Sequence, residues 1–280
     1  MSDIIKSAIY GFAVGDALGV PFEFKKRDTF RCVGMVGHGT WDQPTGTWSD
    51  DTSMVLATMA AFKPNYEITL DNIMHNFSEW YRKGEFTPYG NCFDIGGTTR
   101  SAISNYDSGF KLEKCGLTDE YSNGNGGLMR ILPLAFFEYN EQFIDDVCAL
   151  THNTTRSKFA CETYIKICGS IIDNTFDPFD PYLNMIREMS RDSIKSTGYV
   201  IDSLIAALWS FLITDDYEEC VLTAVNLGGD TDTIAALAGG LAGLYYGFDN
   251  IPEKWVNQLV NKELIDEIVN RFLKSQDKST

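Results

Sequence analysis

Two short runs, Ser49-Asp50-Asp51-Thr52 and Asp230-Thr231-Asp232-Thr233, each hold two carboxylates and two hydroxyls in four residues and then turn apolar. One side-chain oxygen suffices to cap a helix N-terminus, so each run offers more oxygen than capping uses. Carboxylates set this close repel one another, and their proximity costs free energy unless a cation compensates. The donors are all oxygen. His38, His75 and His152 belong to separate segments, and no cysteine stands at ligand spacing beside the clusters. Such a set selects the hard cations Mg²⁺, Mn²⁺ or Ca²⁺ over zinc.

Two narrower motifs can be tested on the letters. A Ca²⁺ loop of the EF-hand kind beginning at Asp230 needs Gly at its sixth position and Glu at its twelfth, where the chain has Ala235 and Leu241. The DxDx[TV] signature of haloacid-dehalogenase phosphohydrolases meets Ile234 at its fifth position, with Gly228-Gly229 in front of it. The first reading fails and the second is weak.

The elements that must hold these groups read as helices. Ile4, Ile5, Ala8, Ile9 and Phe12 mark one apolar face; Met54, Val55, Thr58, Met59 and Phe62 a second; Ile73, Phe77 and Trp80 a third; Leu204, Ile205, Leu208, Trp209 and Leu212 a fourth. Residues 158–172 and 255–273 repeat the pattern. Arg31–Gly37 is a weak strand candidate, hairpin signals are missing, and 173–198 reads as a long connection with a short helix. The prediction is one all-α domain over residues 1–280. Its polar, Gly-rich loops are "TGTWSDDT" (45–52), "GNCFDIGGTTR" (90–100), "SNGNGGLMR" (122–130), "THNTTR" (151–156) and "NLGGDTDT" (226–233). Each precedes a helix-like run, and a helix N-terminus favours carboxylates and bound anions.

Composition bounds the function. Of 280 residues, 44% are hydrophobic and 13% aromatic, which is globular rather than disordered. A net charge of −16 argues against stable binding to nucleic acid or anionic membranes. The seven scattered cysteines read as small buried hydrophobes in a reducing compartment. Asp3 and Asp16 interrupt the apolar N-terminus, no cleavage-site pattern follows, and no unbroken apolar run reaches membrane-crossing length. A cytoplasmic monomer is expected.

Six segments in order, "YGFAVGDALGVPFEF", "GTWSDDTSM", "FDIGGTTRSA", "GNGGLMRILPLAF", "THNT" and "NLGGDTDTIAALAGGLAG", resemble the ADP-ribosylglycohydrolases over about residues 8–248. The resemblance implies an all-α orthogonal bundle with two Mg²⁺ or Mn²⁺ ions in a cleft. It implies hydrolysis of the glycosidic bond between ADP-ribose and a modified group, with arginine on protein the favoured acceptor. Matched by motif, the metal ligands are Ser49, Asp50, Asp51, Asp230, Asp232 and Thr233; relatives often carry Thr where this chain has Ser49. Glu23 matches the family's catalytic or gating glutamate, and Asp94 is the second acid/base candidate. Gly96, Gly97, Thr98, Asn125, Gly126, Gly127 and His152 are expected to hold the ADP-ribose moiety. The competing reading is a catalytically silent ADP-ribose-binding or structural relative. The presence of all four clustered aspartates with Glu23 favours the enzyme.

Overall fold

A computed structural model of the chain describes residues 2–62, 68–137 and 140–276, with Gln276 described by its backbone alone. Within them the fold is helix and loop with no strand, as the periodicity predicts. The strand candidate Arg31–Gly37 is irregular instead. Val33 and Val36 point to solvent, and the backbone groups of Cys32 pair with a side chain. Asn226 Oδ1 accepts from the Cys32 N–H at 2.8 Å, and Asn226 Nδ2 donates to the Cys32 carbonyl at 2.9 Å. A side-chain amide thus supplies what a neighbouring strand would.

The chain forms two compact units, Met1–Ser49 with Lys166–Val260 and Asp50–Ile165 with Asn261–Thr280. The first contains α1 (Ser2–Gly19), and the second α2 (Asp50–Ala60), α3 (Leu70–Lys83), α4 (Gly97–Asp107) and α5 (Glu141–Ala149). Helix α6 (Thr155–Ile172) carries the chain from the second back to the first. There follow α7 (Pro181–Arg187), α8 (Val200–Leu212), α9 (Tyr217–Val225), α10 (Thr231–Tyr246) and α11 (Glu253–Gln258), and α12 (Lys262–Gln276) returns to the second unit. The long connection read at 173–198 is present and holds α7.

Each unit is organised around one buried helix headed by an acidic cluster. In the first, α10 is buried from Thr231 to Leu244 and packs along α1, with α8 and α9 against it. The close approach of α1 and α10 rests on small residues four apart. A Cβ at Gly11 would strike the Gly239 carbonyl, one at Gly15 the Ala235 carbonyl, and one at Gly19 the backbone of Asp232. Tyr217 donates its hydroxyl to the Gly11 carbonyl at 2.7 Å, closing the same seam. The stretch Ser2–Phe22, charged residues included, is long and apolar enough by composition to cross a membrane, yet 89% of its most apolar window is buried. Its contact with α10 accounts for that apolarity: it is a core helix.

In the second unit all eleven residues of α2 are buried, against α3, α12 and the short turn Leu132–Phe136. Phe62 stacks on Phe137 at 4.2 Å between ring centres, and both meet Phe272 of α12 edge-on. Six of the seven cysteines are buried and Cys92 is half-buried, all as free thiols.

Candidate active site

In the first unit three carboxylates converge. Glu23, Asp230 and Asp232 offer oxygens that all lie within 4.8 Å of one another. Glu23 and Asp232 are buried and Asp230 is half-buried. At an effective dielectric of about 20, unit charges this close repel by roughly 3 kcal/mol per pair. The backbone holds them there regardless. Gly228 and Gly229 are consecutive left-handed residues, with φ of 70° and 74°, a conformation glycine adopts without a steric cost. They turn the chain sharply into α10. The Phe24 N–H donates to the Gly229 carbonyl at 2.7 Å, and the Gly229 N–H donates to the Lys25 carbonyl at 2.9 Å. Asp230 is fixed from the other side by its N–H on the Ser196 carbonyl, 2.9 Å.

Arg27 ties these loops together. Its guanidinium donates to the carbonyls of Leu227, Arg191 and Ile194 at 2.5–2.8 Å. Thr231, between the two aspartates, is buried and donates to the last carbonyl of α1, that of Gly19, at 2.8 Å. The Gly19 approach and this bond set the first turn of α10 against the end of α1, four residues before Glu23. In that first turn the Thr233 N–H donates to Asp232 Oδ1 at 3.0 Å.

Ser49, the first residue of the sequence-predicted ligand set, is buried at the edge of the same unit. Its N–H donates to both carboxylate oxygens of Asp16, at 2.9 and 3.1 Å. Asp16 is fully buried on α1; the sequence showed it only as a break in an apolar run. The chain then enters α2, where Asp50 and Asp51 are the first two residues and both are buried.

In the second unit three further loops meet. A Cβ placed on Gly126 would sit 2.7 Å from His152 Cε1 and 2.9 Å from Thr99 Oγ1. The loops "FDIGGTTR", "GNGG" and "THNT" therefore converge on one backbone position. Gly96 caps α4, and Gly96 and Gly97 are exposed. Thr98 is half-buried, while Thr99 turns inward. Asp94 is half-buried with a left-handed φ of 60°. Burial, then the charge of Asp50, pushes the Cys92 thiol up to about 12; Arg100 opposes this and Asp94 adds a smaller push in the same direction. Those two carboxylates thus act on one thiol.

Asn125, Gly126 and Gly127 form a tight turn whose Asn125 carbonyl accepts from Leu128 and Met129, at 2.8 and 3.0 Å. Beneath it lies Arg130, fully buried, donating to the carbonyls of Gly126 at 2.5 Å and Val147 at 3.1 Å. Its guanidinium also covers the Phe77 ring at 4.7 Å. His152 is buried, with Nδ1 2.7 Å from Thr151 Oγ1. Burial, then the Arg130 charge, lowers its pKa to about 3, so its ring is neutral at pH 7.

The structure therefore brings together Glu23, Asp230 and Asp232 in one unit, with Thr233 on the same helical turn. In the other it gathers Gly126 and His152 with Thr99, the neighbour of the predicted Thr98, at one position. The predicted site residues of each unit stand at loop ends and helix starts. Asp16, Arg27 and Arg130 were missed as positioning groups. Asp16 and Arg130 left the same faint signal, a charged residue inside an apolar motif, and Arg27 left none.

A family model described as ADP-ribosylglycohydrolase matches residues 1–280. The chain is 34% identical to the ADP-ribosylarginine hydrolase Tri1 of Serratia proteamaculans, covering 96% of this chain and 79% of that protein. It is 30% identical to the ADP-ribosyl-[dinitrogen reductase] glycohydrolase of Rhodospirillum rubrum, over 90% and 88% of the two chains. A solved structure, an ADP-ribosylglycohydrolase-related protein complex, superposes with a TM-score of 0.81 at 30% identity, covering 100% of this chain and 99% of that one.

Proposed function

The chain belongs to the ADP-ribosylglycohydrolase family of hydrolases, and from that premise we propose that it releases ADP-ribose from ADP-ribosylated arginine on protein. The observation that carries the site assignment is the convergence of Glu23, Asp230 and Asp232 oxygens within 4.8 Å. Asp230 and Asp232, with Glu23 beside them, give an all-oxygen, anionic site of the kind that suits a hard divalent cation. In this reading Ser49, Asp50, Asp51, Asp230, Asp232 and Thr233 offer ligands to two Mg²⁺ or Mn²⁺ ions. When bound, such ions orient ribose hydroxyls and acidify a water.

The chain's own groups carry the remaining steps. Glu23 accepts the proton of the water that attacks C1″ of the ribose. The C1″–N bond breaks, and the departing guanidine takes up a proton, for which Asp94 is the second acid/base group. The exposed backbone of Gly96 and Gly97 at the start of α4 presents N–H groups to the diphosphate. Thr98, Asn125, Gly126, Gly127 and neutral His152 hold the rest of the ADP-ribose moiety. The reading is of a monomeric cytoplasmic enzyme, and a net charge of −16 suits one that needs neither nucleic acid nor membrane.

A panel of ADP-ribosylated arginine, serine and nucleic-acid substrates, each with Mg²⁺ or Mn²⁺, tests it. Free ADP-ribose is expected foremost from the arginine substrate. Release only from another acceptor would overturn the arginine assignment, and release from none would overturn the activity.

A further inference from the structure

Phe24 breaks two ordinary rules at once. It is a bulky aromatic with a left-handed φ of 62°, and the residue is 68% exposed. Strain of this kind persists only where the surroundings impose it. Here they do: the Phe24 N–H is held by the Gly229 carbonyl at 2.7 Å, one residue from Asp230. The nearby rings differ. Phe22 stacks on Phe30 at 4.7 Å and lies under the Lys25 ammonium, so its faces are taken up within the protein.

A second aromatic is brought to the same place by a strained turn. His38 and Asp42 have φ of 64° and 50°, and a Cβ on Gly39 would collide with the Pro21 carbonyl. The Thr40 hydroxyl donates to the Glu23 carbonyl at 2.6 Å. The result sets Trp41, half-buried, with its indole N–H donating to the Glu23 carboxylate. The Phe24 and Trp41 rings stand 6.3 Å apart at 60°. The exposed Phe24 ring thus stands next to the indole that holds the Glu23 carboxylate. Aromatic faces next to anions recognise a planar cation, and a guanidinium above all.

Resting on the activity proposed above, we propose that Phe24 and Trp41 form the acceptor subsite and select substrates whose modified side chain is an arginine guanidinium. Phe24 supplies the contact face. Trp41 neighbours that ring and holds the Glu23 carboxylate.

Steady-state kinetics on Phe24→Leu and Phe24→Tyr test this, with ADP-ribosyl-arginine as substrate and free ADP-ribose as competitive inhibitor. Loss of the ring face in Phe24→Leu should raise KM about 5- to 20-fold. The kcat should stay within about twofold, and the inhibition constant of ADP-ribose, which lacks the guanidinium, should not move. Phe24→Tyr should restore KM. A purely structural role for Phe24 would instead weaken ADP-ribose together with substrate, or lower kcat. Either result, or an unchanged KM in Phe24→Leu, overturns the assignment while leaving the activity standing. If the wild-type protein releases no ADP-ribose from ADP-ribosyl-arginine, the activity falls and the subsite with it.

Discussion

Glu23 and Asp232 share one carboxylate cluster but hold different surroundings, and conservative substitutions separate what they do. Asp232→Asn keeps size and one ligating oxygen while removing a negative charge. Calorimetry with Mn²⁺ should show affinity weakened at least tenfold, with turnover falling in step and α10 intact. Glu23→Gln should keep most of the metal affinity and still lower kcat by about 10²-fold or more, because a proton acceptor is lost. Wild-type turnover in Glu23→Gln would move the acid/base assignment to Asp94. His152 makes a different prediction, on pH. Its folded-state pKa is lowered to about 3 from the ordinary 6.5, so below pH 6.5 the unfolded chain binds a proton that the folded one refuses. Stability attributable to this ring is therefore full above pH 6.5 and declines as pH falls towards 3, by at most about 1.4 kcal/mol per pH unit. Urea unfolding at several pH values should show a shallower decline for His152→Gln than for the wild type. Equal slopes would mean that the ring titrates normally in the fold.

Two helices, α2 and α10, are buried along nearly their whole length and begin with the clustered aspartates. An apolar run following an acidic one is what a rigid mount for charged groups looks like in sequence, and it was legible for that reason. So were the helical faces, which depend on spacing within a dozen residues. What sequence did not disclose is long-range. Asp16 reaches the N–H of Ser49, 33 residues away, and Arg27 reaches carbonyls more than 160 residues away. Neither pairing leaves a local pattern. Arg31–Gly37 looked weakly like a strand because two β-branched valines fall in a short run ended by glycine, but Asn226 satisfies the Cys32 backbone instead. The α1–α10 seam yields a paired prediction. Gly15→Ala places a methyl against the Ala235 backbone, which cannot swing away as a side chain could. It should destabilise by about 2 kcal/mol or more. Gly169→Ala, in α6 with open space around its Cβ position, should stabilise by up to about 1 kcal/mol. Denaturant unfolding distinguishes the two, and a neutral Gly15→Ala would mean that the helices separate easily.

At the scale of the whole chain, a net charge of −16 is a constant self-repulsion, and the carboxylates that head the two core helices add a local one. Divalent cations that bind the folded protein and not the unfolded chain should relieve it. Linkage gives the size: a ligand at 100 times its dissociation constant stabilises by about 2.7 kcal/mol. For a chain of this length that corresponds to a rise of roughly 5 °C in Tm. The effect should saturate with Mg²⁺ or Mn²⁺, reverse with excess chelator, and far exceed that of NaCl at matched ionic strength, which screens the global charge without entering a site. Asp232→Asn should remove much of the metal-dependent rise, whereas Phe24→Leu, which touches no proposed ligand, should keep it. Turnover after dialysis against EDTA should vanish and return with metal. A Tm indifferent to both cations, or full ADP-ribose release in excess chelator, would show that the carboxylates of the two clusters serve some purpose other than holding metal.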